Sequence, residues 1–119
     1  MSSLITSNIS DGTTSVPTGY VVNGSAKAWM HYNTGGTASI YDSFNTASLT
    51  DIGTGSVTMT FTNSFPDTSY ADSISTGTFT AALNNGSKTA SSCNGYTFNS
   101  SNVLTDTSRN TFTIHGDLA

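Results

Sequence analysis

The chain has 119 residues, a formal net charge of −4 and only 8 % charged residues, with three cations (Lys27, Lys88, Arg109), seven Asp and no Glu. That balance repels a phosphate backbone and argues against nucleic-acid binding, and no apolar run approaches the roughly 20 residues of a membrane-spanning helix. Ser, Thr and Asn supply nearly half of the residues while Gln and Glu are missing, so polarity comes from hydroxyls and amides, and the β-branched Thr-rich composition reads as all-β.

Taken in chain order, residues 1–19 are Ser/Thr-rich with Pro17 and read as an extended N-terminal arm suited to docking on neighbours, or as a loosely held first strand. Residues 20–119 read as a single domain. Asn23-Gly24 is a turn signal. From Ala26 to Asn33 the pattern alternates, with Ala26, Ala28, Met30 and Tyr32 on one face and Lys27, Trp29 and His31 on the other. Thr34-Gly35-Gly36-Thr37 then makes a hairpin, Ala38–Asp42 returns, and Phe44–Leu49 gives another strand. Asp51–Gly55 is a Gly-rich turn. Val57, Met59 and Phe61 alternate with threonines in the cleanest strand of the chain. Pro66-Asp67 stops it, and Ser69–Ser75 follows.

Over residues 77–108 the signal is weaker. Phe79, Ala81 and Leu83 fit one strand, Tyr96 and Phe98 alternate, and Val103-Leu104 is a short apolar pair. Thr111–His115 closes the chain with Phe112 and Ile114 on one face. About eight short strands at such spacing point to a sandwich or barrel, and the expected fold is an antiparallel β-sandwich or jelly-roll-like domain. The expected core is Trp29, Phe44, Leu49, Val57, Met59, Phe61, Tyr70 and Phe112.

Few residues carry chemistry. His31, His115 and Cys93 offer a nucleophile and base in principle, but no Gly-x-Ser-x-Gly elbow is present and two histidines without paired spacing make a poor zinc set. The seven Asp are scattered, mostly at turn positions, rather than paired as glycoside hydrolysis requires. Asp51 with Thr54 is too sparse for calcium. A single cysteine has no internal disulfide partner. Neither an enzyme nor a cofactor or metal site is expected. Arg109 has Asp106 or a neighbouring subunit as a candidate partner. Lys27, Trp29 and His31 form the candidate surface-binding set, with Lys27 and Trp29 as a stacking platform for a sugar ring. The competing and favoured assignment puts Trp29 in the core with Lys27 lying along it.

Two segments carry a family resemblance. Val22–Tyr32 reads VNGSAKAWMHY and Ser43–Gly55 reads SFNTASLTDIGTG, followed by the strand to Phe61 and by Phe65-Pro66-Asp67 before Tyr70. This series resembles a β domain that recurs in tail-fibre and other virion structural proteins of tailed bacteriophages, mainly those of aquatic bacteria. The match spans about residues 16–70, and Val57 stands where the pattern usually carries an aromatic. The resemblance implies a virion structural protein made in the host bacterial cytoplasm, a tail-fibre-tip or adhesin-like receptor-binding module contacting the host surface. The alternative is a capsid decoration or head-fibre protein. The implied partners are other virion proteins, a host-surface polysaccharide and further copies of the chain as a homotrimer, with no nucleic acid and no membrane.

Overall fold

A computed structural model describes residues 2–117, apart from the side chain of Asn85; Met1 of the expected arm and Leu118 and Ala119 of the expected domain lie outside the described residues. Half of the residues are in strands. The protein is a β-sandwich of two antiparallel four-stranded sheets, preceded by a hairpin and one short helix. The strands are β1 (Asn8–Ser10), β2 (Ser15–Pro17), β3 (Ala26–Asn33), β4 (Ser39–Phe44), β5 (Thr46–Gly53), β6 (Ser56–Phe61), β7 (Ala71–Thr76), β8 (Thr80–Leu83), β9 (Ser92–Phe98) and β10 (Asn110–His115). The helix α1 covers Thr18–Gly24.

The first sheet runs β4-β3-β10-β7 and the second β5-β6-β9-β8. Alternation sends Ala28, Met30 and Tyr32 of β3 and Phe112 and Ile114 of β10 inward from the first sheet. They meet Val57, Met59 and Phe61 of β6 and Cys93 of β9. Leu49, Ile74 and Leu83 pack against the edge of this core. At one end Phe61, Phe65 and Tyr70 close it, with ring centroids 4.6–5.5 Å apart, a spacing at which aromatic pairs add stabilisation beyond their buried area. Gly95 sits in the middle of β9 because Phe112 and Ile74 occupy the space of its missing side chain: a Cβ there would lie 2.6 Å from Phe112 Cζ. The Tyr32 hydroxyl is buried without a hydrogen-bond partner, and burial pushes its pKa up.

The chain passes from the first sheet to the second at Asn45, a single residue at φ 52°. Asparagine tolerates this left-handed conformation, and its amide stitches the corner. Nδ2 donates to Lys27 O at 3.0 Å and Asn63 O at 3.1 Å, while Oδ1 accepts from Asn63 N at 2.7 Å. A second tie joins β7 to the loop before β9. Lys88 Nζ meets Asp72 Oδ1 at 2.8 Å, donates to Tyr70 O at 2.6 Å and lies 4.0 Å above the Tyr70 ring.

Two expectations are corrected here, on the core and on the arm. Trp29 and Phe44 do not belong to the core: β3 turns Trp29 outward, half-buried, and Phe44 beside it is 54 % exposed. On β9, where the sequence assigns no inward face, the buried residues are Cys93, Gly95 and Thr97, and the alternating pair Tyr96 and Phe98 faces away from the core. The N-terminal arm is not simply extended. Residues 8–17 form a hairpin, Asp11 Oδ1 accepts from Thr13 and Thr14 in its turn, and α1 runs across the boundary expected after residue 19, so the sandwich begins at Ala26.

The arm stands off the sandwich. The radius of gyration is 16.5 Å, against about 13.5 Å for a compact chain of this length, and the longest dimension is 50 Å. No residue of α1 is buried. Leu4, Ile5, Ile9, Tyr20, Val21 and Val22 are all exposed.

Candidate functional site

The outer face of the first sheet collects the residues able to meet a ligand. Cross-strand register places Phe44, Trp29, Thr113 and Ser73 in one row and Asp42, His31, Thr111 and Ser75 in the next. Ser75 and Thr111 share a hydrogen bond at 2.6 Å, and Ser73 Oγ donates to Thr113 O at 3.3 Å. The face is therefore aromatic towards β4 and hydroxyl-lined towards β7.

Between His31 and Tyr32 the β3–β4 register shifts, the mark of a β-bulge. A bulge re-aims side chains, and here it brings the Tyr41 ring to 4.8 Å from the His31 ring at 46°. The Tyr41 hydroxyl donates to Ser108 O at 2.9 Å, which anchors the 55 %-exposed ring over the segment leading into β10. Arg109, next in that segment, completes a hollow of about 270 Å³ lined by His31, Tyr41 and Arg109.

The three cations have different environments. Lys88 is committed to Asp72. Lys27 is engaged at the end of α1: its ammonium donates to Val22 O and to Ser25 O, where a cation complements the helix dipole. Among the described residues this bond joins the arm to the sandwich. Arg109 makes no ion pair among the described residues; Asp106, its expected partner, instead accepts from Gly55 N at 2.7 Å.

Of the expected surface-binding set, Trp29 and His31 thus share one outer face, and Lys27 leaves the platform to brace the arm. Sequence reasoning missed Tyr41, Phe44 and Arg109. The first two depend on a bulge and on the phase of β4. Arg109 comes from the far end of the chain and joins the site only because β10 lies beside β3.

The remaining chemical candidates are not assembled into one place. No three His, Cys, Asp or Glu side chains cluster among the described residues. Asp11, Asp67 and Asp106 each accept backbone N–H bonds in turns or loops, and Asp51 accepts one from Gly53 at the end of β5. At Asp11 the bonds from Thr14 and Thr13 hold the carboxyl below the usual carboxylate range.

Cys93 is fully buried, and burial pushes its thiol from 9.0 up to about 12. A thiol that ionises more easily in the unfolded chain stabilises the fold only while both states are protonated. Its contribution is therefore complete below about pH 9 and is lost as pH rises towards about 12. Alkaline titration of the unfolding midpoint is expected to fall across that window, with Cys93→Ala showing a flatter profile. Thiol labelling of the native chain at pH 8 is expected to proceed only as fast as unfolding; labelling at the rate of a free thiol would show that the site is open.

No family model, curated protein or solved structure matches the chain.

Proposed function

We propose that this chain is a bacteriophage virion structural protein, a tail-fibre-tip or adhesin-like module that docks through its N-terminal arm and turns the outer face of the first sheet towards the host surface. The observation that carries the docking is the arm itself. A seven-residue helix is marginal in water without tertiary support, yet α1 buries nothing and, with the residues before it, holds six apolar side chains in solvent. Such a segment gains its stability by lying on another subunit, and a homotrimer satisfies it with copies of the same chain. The resemblance over Val22–Tyr32 and Ser43–Gly55 supports a place on a phage particle, and the aromatic and hydroxyl-lined outer face supports contact with a surface glycan. Several weak sites become avid in a trimer.

A second reading, capsid decoration, draws on the same arm, which can equally clamp neighbouring capsid subunits. Copy number separates the two. Quantitative mass spectrometry of purified particles is expected to find this chain at a few per cent of the major capsid protein. A ratio near one to one would replace the host-contact reading with decoration, and absence from the particle would end both. Light scattering on the purified full chain is expected to give a mass of three copies of 12.3 kDa. The double substitution Ile5→Asp with Val22→Asp is expected to reduce this to one copy without unfolding the sandwich; an unchanged mass would remove the arm from the interface.

A further inference from the structure

We propose that the hollow between His31, Tyr41 and Arg109 binds a single carboxylate-bearing sugar residue within a largely neutral glycan. The proposal rests on the reading that this face meets the host surface, and supplies the ligand class that the reading leaves open.

The cation comes first. The chain carries a net charge of −4, and of its three cations only Arg109 has neither an ion pair nor a side-chain hydrogen bond among the described residues. A guanidinium is shaped to take a carboxylate through two parallel N–H bonds. The same acidic background opposes a polyanion, so one carboxylate set among neutral residues fits better than a polyuronate or a nucleic acid. Asp42 lies across from His31 in the strand pair and adds to that selection, although its Oδ1 is occupied by the Ser43 N–H at 2.8 Å.

The rings specify the rest of the ligand. A pyranose has an apolar C–H face and a polar edge. The Tyr41 ring, held from behind by Ser108 O and flanked by His31, supplies the stacking surface. Thr111 lies opposite His31 on β10, beside the hollow, with its hydroxyl bonded to that of Ser75 at 2.6 Å. The volume of about 270 Å³ lies just under the roughly 300–1,000 Å³ of pockets for drug-sized ligands, so one ring fills it. Trp29 and Phe44 in the adjoining row extend the aromatic surface to a neighbouring residue of the glycan. An acidic peptide suits this place less well. It would have to extend the sheet along the β4 edge, and the bulge beside Tyr41 breaks the regular row of backbone groups that such pairing needs.

The test is an NMR titration of the full chain with methyl β-glucuronide and with methyl β-glucoside, which differ only in the carboxylate. The glucuronide is expected to bind about tenfold more tightly, as a charge-assisted pair implies, with shifts centred on His31, Tyr41 and Arg109. Arg109→Gln is expected to abolish the difference, and Tyr41→Ala to weaken both sugars; both positions are exposed, and the amide spectrum reports whether the fold is kept. Equal binding of the two sugars by the native chain, or equal binding of N-acetyl-aspartate amide and the glucuronide, would overturn the proposal. Binding of the chain to host cells is measured in parallel. Cell binding without glucuronide preference discards this ligand and keeps the surface-contact reading. Glucuronide preference without cell binding keeps the site and discards that reading.

Discussion

Replacing Gly55 with alanine is expected to destabilise the sandwich by about 3 kcal/mol or more, a large part of the roughly 5–15 kcal/mol that holds a small domain together. Gly55 has φ +66°, and a Cβ there would stand 2.6 Å from Thr105 N and 2.6 Å from Thr97 O. Both are backbone atoms, and both are fixed. Thr105 N donates to Thr97 O, Thr97 N donates to Gly55 O at 2.9 Å, and Gly55 N donates to Asp106 Oδ1 at 2.7 Å. Nothing can move without breaking the segment that leads into β10. Gly53, two residues earlier, has open space and no positive φ, so Gly53→Ala is expected to stay within about 0.5 kcal/mol of the parent. Urea denaturation of the pair measures the contrast directly. Equal midpoints would mean that the close approach at Gly55 is not a constraint.

The second large effect is expected at Asp72 and Lys88. Their side chains are only 8 % and 12 % exposed, so the pair is not a surface ion pair of the kind that contributes about 1 kcal/mol or less. Asp72→Asn or Lys88→Met removes one charge and leaves the other buried, at a cost of about 3–5 kcal/mol. The double substitution Asp72→Leu with Lys88→Met restores an apolar contact and is expected to recover most of that loss. Lys88 also reaches Tyr70 O and the Tyr70 ring, and the Tyr70 hydroxyl lies 2.8 Å and 2.9 Å from Thr89 O and Ser92 O. The single substitutions are thus expected to loosen residues 88–92 first, visible as faster amide exchange there. Single and double variants of equal, near-native stability would show that the pair is solvated.

Where the alternation is unambiguous the sequence was a sufficient guide. Val57, Met59 and Phe61 are the inward face of β6, and Phe112 and Ile114 that of β10, as their spacing requires. On β3 the alternation separates two faces correctly but does not say which is inside. Size favours the face with Trp29, whereas the pairing with Phe112 and Ile114 selects Ala28, Met30 and Tyr32. Trp29 is thereby left half-buried on the outer face, in the row beside the hollow of His31, Tyr41 and Arg109. On β9 the inward set is Cys93, Gly95 and Thr97, a pattern without apolar weight, since Phe112 and Ile74 fill the space over Gly95. Helix α1 has Gly at its second and last positions and buries no stripe, so no periodicity announces it. Arg109 could not be joined to His31 and Tyr41 before it was known that the last strand lies beside the first of the sandwich.

That same adjacency sets an order of events during synthesis. β3 pairs with β10, so the first sheet has no complete centre until His115 has left the ribosome. At about 5–20 residues per second, β3 waits roughly 4–16 s for its partner. The second sheet is different: β5 and β6 form a hairpin from neighbouring segments and can assemble as soon as they emerge. Meanwhile the strip of Met30 and Tyr32 is uncovered, and a newborn chain is at its most aggregation-prone. Pairings so distant along the chain also belong to the slow end of two-state folding. The exposure of that strip therefore depends on how quickly synthesis reaches β10 as well as on the stability of the folded sandwich.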